Sequence, residues 1–111
     1  MKRAETLSYP VSIFIAGDFE KAKVSCRAYC DEVGLCVTVT QTVYVYAGGE
    51  EAGVVVGLIN YGRFPAEPRA IFNNARALAQ RLSADLNQQS YSIQAPDKTL
   101  WCSYRNEDLR P

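Results

Sequence analysis

No histidine occurs anywhere in the 111 residues. The commonest general base and the commonest metal ligand are therefore missing at the outset. The reactive side chains that remain are mainly four cysteines and seven tyrosines. Cys26, Cys30 and Cys36 invite a metal-cluster reading, but their uneven gaps match none of the strong zinc spacings. Cys26 and Cys30 fall on the apolar stripe of a helix, where a buried thiol behaves as a small hydrophobe. Cys102 shares a strand face with Leu100 and Tyr104, and the same reading applies. The sharper alternative is a thiol site, since Arg27 beside Cys26 favours a thiolate. Cysteines four apart on one helix are poorly placed to bridge, so a disulfide has to cross elements. No metal and no cofactor are expected, and no residue is assigned a catalytic role.

Two other groups are candidates for binding. Thr38, Thr40, Thr42, Tyr44 and Tyr46 alternate with valines along one strand. If helices cover the valine face, the Thr/Tyr face is open. Aromatics on an open sheet stack RNA bases in one class of domain. Here no Lys or Arg is interleaved with them, so a self-association surface is the preferred reading. Tyr61, Arg63 and Phe64 precede a helix N-terminus and form a candidate anion or partner site. The plainer alternative pairs Arg63 with Glu67. Gly48, Gly49, Gly53, Gly57 and Gly62 crowd one region without any nucleotide fingerprint, and Glu50 and Glu51 would repel a phosphate there.

The elements that position these groups follow from periodicity. Tyr9 to Ala16 alternates as a strand, and Asp18 caps the helix that follows from about Phe19 to Val33, with Gly34 as its C-cap. Leu35 to Tyr46 is β-branched and aromatic with period two, and Gln41 is a candidate bulge. Gly48-Gly49 is expected to be a hairpin loop, and Gly53 to Tyr61 a central strand. Pro68 opens a second helix with Ile71, Ala75, Leu78, Leu82 and Leu86 as its stripe. Ile71, Leu78 and Leu82 are expected against Val37, Val39 and the Val54 to Ile59 strand. Tyr91 to Ala95 and Leu100 to Tyr104 form a C-terminal hairpin around Pro96-Asp97-Lys98. The β-α-β-β-α-β-β order implies an α+β, ferredoxin-like βαββαβ sandwich with an extra C-terminal strand. One domain spans 1–111, with 1–8 and 106–111 expected to be flexible.

Composition bounds the function. Twelve basic and twelve acidic residues give a formal charge of zero, which disfavours nucleic acid as a partner. No apolar run reaches the ~20 residues that span a bilayer, so a cytoplasmic protein without a membrane role is expected. Gly48-Gly49-Glu50-Glu51, Val56-Gly57-Leu58-Ile59-Asn60-Tyr61 and Arg63-Phe64-Pro65 resemble small uncharacterised proteins of phages and prophages. The resemblance covers the middle third and implies an accessory protein acting inside a bacterium, with a host protein as a candidate partner. The resulting expectation is a non-enzymatic interaction protein, homodimeric through its Thr/Tyr face. The alternatives are a small-molecule-binding regulatory domain and a small enzyme of the dimeric α+β barrel type.

Overall fold

Asp18 accepts a hydrogen bond from the Lys21 N–H, and Gly34 takes the left-handed conformation (φ 70°) that closes a helix. These two caps bound helix α1 (Phe19–Val33) where the sequence places it. The computed structural model describes residues 1–108. It builds a five-stranded sheet from β1 (Val11–Ala16), β2 (Thr38–Tyr46), β3 (Gly49–Leu58), β4 (Ser90–Gln94) and β5 (Thr99–Ser103). The strand order is β2-β3-β1-β4-β5, with every neighbouring pair antiparallel. Helix α2 (Pro68–Asp85) completes a ferredoxin-like α+β sandwich, with β5 extending one edge. The expected polar tail contributes a short 3-10 turn at Asn106–Asp108, and its last residues, 109–111, lie outside the described residues.

Both helices lie on one face. Val11, Ile13 and Ile15 of β1 and Val54, Val56 and Leu58 of β3 point toward them and are buried. Ile71, Leu78 and Leu82 are buried as expected, but α2 packs on β1 and β4. The neighbourhood of Val37 and Val39 belongs to α1 instead, which covers β2 and β3. The crossovers settle this division: each helix lies over the strands that its own βαβ unit spans.

The β2–β3 hairpin differs from its sequence reading. Its turn is Ala47-Gly48, and only Gly48 needs a positive φ (92°). Gly49 is already paired with Tyr46, so β3 starts four residues earlier than the apolar run suggests and ends at Leu58. Gln41 makes no bulge and pairs with Val54 in unbroken register. The long hairpin overhangs the helix layer. Val43 and Val45 are on the helix side yet remain 53% and 76% exposed. The molecule is accordingly elongated, 52 × 34 × 24 Å. Among the described residues, no helix is long and apolar enough to cross a membrane.

Candidate functional site on the open sheet face

Register decides which side chains share the face that the helices leave bare. Across the middle of the sheet the partners run Thr40, Val55, Phe14, Ser92, Trp101. Toward the hairpin, Thr42 pairs with Gly53 and Gly53 with Ala16. Beyond them, Tyr44 is opposite Glu51 and Tyr46 opposite Gly49. The predicted set Thr38, Thr40, Thr42, Tyr44 and Tyr46 therefore shares one face. Phe14, Trp101 and Glu51 join it.

Tyr44 does not stand out into solvent. Its ring lies across Gly53, where a Cβ would come 2.7 Å from the Ile15 carbonyl oxygen and closer still to the ring. Its hydroxyl accepts the Ile15 N–H at 3.1 Å and donates to the Val54 carbonyl at 2.5 Å. Ile15 and Val54 are cross-strand partners, so the phenol stands between β1 and β3 and closes their ladder through itself. Burial holds the Tyr44 phenol above its ordinary pKa, and the Ile15 N–H opposes this. With both hydroxyl bonds committed, Tyr44 supplies a fixed aromatic wall.

A shallow trench of about 210 Å³ runs from this wall to Trp101. Phe14, Ala16, Ser90 and Ser92 line it, and Trp101, 47% exposed, rises from β5 on the far side. The hydroxyls of Ser90 and Ser92 have no protein partner among the described residues. Glu51 is the one carboxylate that the strand pairings place on this face, and it makes no ion pair among the described residues. A flat, partly apolar floor between two aromatic walls suits a heterocycle. Glu51, opposite Tyr44 toward the hairpin, adds attraction for a cation at that end, as do the ring faces themselves.

The other predicted site lies elsewhere. Thr38 pairs with Gly57, and Gly57 with Ser12, at the end of the sheet away from the hairpin. Tyr61, Arg63 and Phe64 follow β3 at that same end. The Tyr61 and Phe64 rings contact each other, with centroids 5.2 Å apart. Arg63 forms no ion pair with Glu67, and Glu67 gives α2 no side-chain cap. The notch at Gly57 is filled by the Thr38 hydroxyl. Tyr61 instead bonds the Cys36 thiol, which is the main reason its phenol is pushed up to about 12. Cys26 is buried and Cys30 half-buried, in the helix stripe as expected, while Cys36 is exposed. Among the described residues, no cluster of three or more His, Cys, Asp or Glu is arranged to hold a metal.

Glu51 carries no weight as a site residue in the sequence, whereas Trp101 stands there, with Phe14 and Ile59, as a possible neighbour of Tyr44 and Tyr46 that only register can decide. Glu51 was legible in principle. With a two-residue Ala47-Gly48 turn, strand pairing places it opposite Tyr44. The position of Trp101 depended on the β4–β5 register, which pattern alone leaves open.

No family model matches the sequence, and no curated protein matches it. The fold matches two solved structures of a phage SAM lyase. One is in complex with S-methyl-5′-thioadenosine, at 15% identity and a TM-score of 0.62, covering 99% of this chain and 98% of that one. The other is in the apo state, at 15% identity and a TM-score of 0.66, covering 100% and 98%. At this identity the likeness is one of fold. Both counterparts are phage proteins, in keeping with a phage connection. They overturn the expectation of a non-enzymatic interaction protein, because the same fold, end to end, serves an enzyme.

Proposed function

We propose that this protein is a small enzyme, of phage origin, that cleaves a sulfonium nucleoside of the S-adenosylmethionine type. The observation that carries the reading is the trench between Tyr44 and Trp101, with the Glu51 carboxylate opposite Tyr44 at its hairpin end, in a fold shared along its whole length with a lyase. The substrate is a flat heterocycle joined to a sulfonium cation, and the open face offers the complementary groups. Phe14 and Trp101 take the heterocycle, and Tyr44 and Glu51 face the cationic end.

The chemistry also explains how a chain without histidine could do it. If S-methyl-5′-thioadenosine leaves, the bond that breaks joins sulfur to the side-chain carbon of the amino-acid arm. The electron pair goes to sulfur, and the sulfonium becomes a neutral thioether. When no water is added, the substrate's own carboxylate can attack that carbon and close a five-membered lactone. No proton moves, so no general base is required. The step destroys one positive and one negative charge. Water stabilises the separated charges more than the transition state, so a drier, aromatic surface accelerates it. Holding the arm folded for ring closure contributes further. Glu51 attracts the substrate's ammonium group and repels its carboxylate, which turns that carboxylate toward the carbon it attacks.

A trench of about 210 Å³ is smaller than the ~300–1,000 Å³ usual for small-molecule sites. We therefore place a second copy of the chain over the open face, as the other wall of the pocket. The test of the function is turnover. Purified protein mixed with S-adenosylmethionine should yield S-methyl-5′-thioadenosine, resolved by chromatography, and Glu51→Gln should slow its appearance. Unchanged substrate after prolonged incubation with folded protein would refute the proposal.

A further inference from the structure

A second group of reactive side chains lies away from the open face, and its reading is independent of the catalytic one. Cys26, Cys30 and Cys36 line one groove of about 530 Å³ between α1 and the start of β2, with Lys23 and Arg27 at its rim. The chain turns back at Cys30: the N–H groups of Gly34 and Leu35 both donate to its carbonyl, at 2.9 and 3.2 Å. The Val37 N–H then donates to the Cys30 sulfur. The Cα of Cys36 is only about 2.4 Å from that nitrogen along the backbone. Cys36, the residue before Val37, thus lies beside the Cys30 sulfur and shares its groove, as a disulfide between them requires. Cys36 is exposed, and Tyr61 bonds its thiol from the β3–α2 connection. Cys30 is half-buried behind it.

We propose that Cys30 and Cys36 form a reversible disulfide, which makes this groove an oxidation site that responds to hydroperoxides. The exposed Cys36 sulfur attacks the peroxide O–O bond. It becomes a sulfenic acid as the peroxide's other oxygen leaves as an alcohol, or as water from hydrogen peroxide. The Cys30 sulfur then displaces water from Cys36, and the S–S bond forms. Overall, two thiols and one hydroperoxide give one disulfide, one alcohol and one water. Burial holds the Cys30 thiol above its ordinary pKa, with the neighbouring Cys36 adding to the effect. Exposure makes Cys36 the attacking sulfur, and the half-buried Cys30 behind it the resolving one. Closure takes the Cys36 thiol away from Tyr61 and pins the end of α1 to the approach to β2.

The test uses hydrogen peroxide on the native chain, followed by thiol alkylation and trypsin. Arg27 and Arg63 bound a tryptic peptide, 28–63, that holds Cys30 and Cys36 and no other cysteine. After oxidation this peptide should be lighter by two hydrogens and carry no alkyl group, and a dithiol reductant should restore both thiols. The peptides holding Cys26 and Cys102 should stay fully alkylated. Cys36→Ser should abolish the bridge. Cys30→Ser should instead leave a Cys36 sulfenic acid that a dione reagent captures. The proposal is overturned if peptide 28–63 stays doubly alkylated, if a covalent dimer forms through Cys36, or if Cys102 oxidises at the same rate.

Discussion

Glu51 and Tyr44 are neighbours across the hairpin, and they do different work. In the proposed reaction Glu51 is the charge that meets the cationic substrate. Tyr44 is a structural phenol whose hydroxyl closes the β1–β3 ladder. Two substitutions separate these roles. Glu51→Gln should leave stability nearly unchanged and cost roughly 10–100-fold in kcat/KM, the scale of a lost charge-assisted contact. Tyr44→Phe should leave the Val54 carbonyl and Ile15 N–H without their bridge and cost about 1–3 kcal/mol in urea unfolding. A Tyr44→Phe variant of native stability would mean that the strands re-pair without the hydroxyl. The strand carrying Thr38 to Tyr46 was legible as an open face because its alternation is strict. Glu51 was hidden because it sits in the hairpin arm, where Gly48-Gly49 reads as a loop and the start of β3 is disguised.

At the scale of elements, periodicity carried most of the fold. Asp18 and Gly34 bound α1, and Pro68 opens α2, for reasons local to a few residues. The division of strands between helices is a tertiary matter, so the partners of α2 were misassigned to β2 and β3. Leu78 is fully buried over β1 and β4. Leu78→Ala should therefore destabilise the protein by about 2–5 kcal/mol, measured by chemical denaturation. A loss under ~0.5 kcal/mol, the level of surface substitutions, would show that α2 is not docked as described. Gly53 is the element-level requirement of the site. Any side chain there meets the Tyr44 ring and the Ile15 carbonyl, so Gly53→Val should disrupt the hairpin and the trench together. Near-native thermal stability and ligand binding in that variant would contradict this packing.

For the whole molecule, the titrating groups that matter are thiols and phenols. Burial pushes the Cys26 thiol from 9.0 up to about 11, and raises Tyr29, Tyr44 and Tyr91 as well. Each raised pKa means that the folded state holds its proton longer than the unfolded state does. The associated stability is complete below pH 9 and is lost as pH rises through the folded values. Urea midpoints should fall steadily between pH 9 and 11 for this reason, and a flat profile there would contradict the burial of Cys26. The central claim is that a sulfonium nucleoside, or the thioether it leaves, rests on the open sheet face between Tyr44 and Trp101. Trp101 is the chain's only tryptophan, so its fluorescence reports on that face alone. Titration with S-methyl-5′-thioadenosine should change the Trp101 emission saturably, and Glu51→Gln should leave this neutral product bound while weakening S-adenosylmethionine. Emission that stays constant while equilibrium dialysis shows the nucleoside bound would place the site elsewhere and contradict the account.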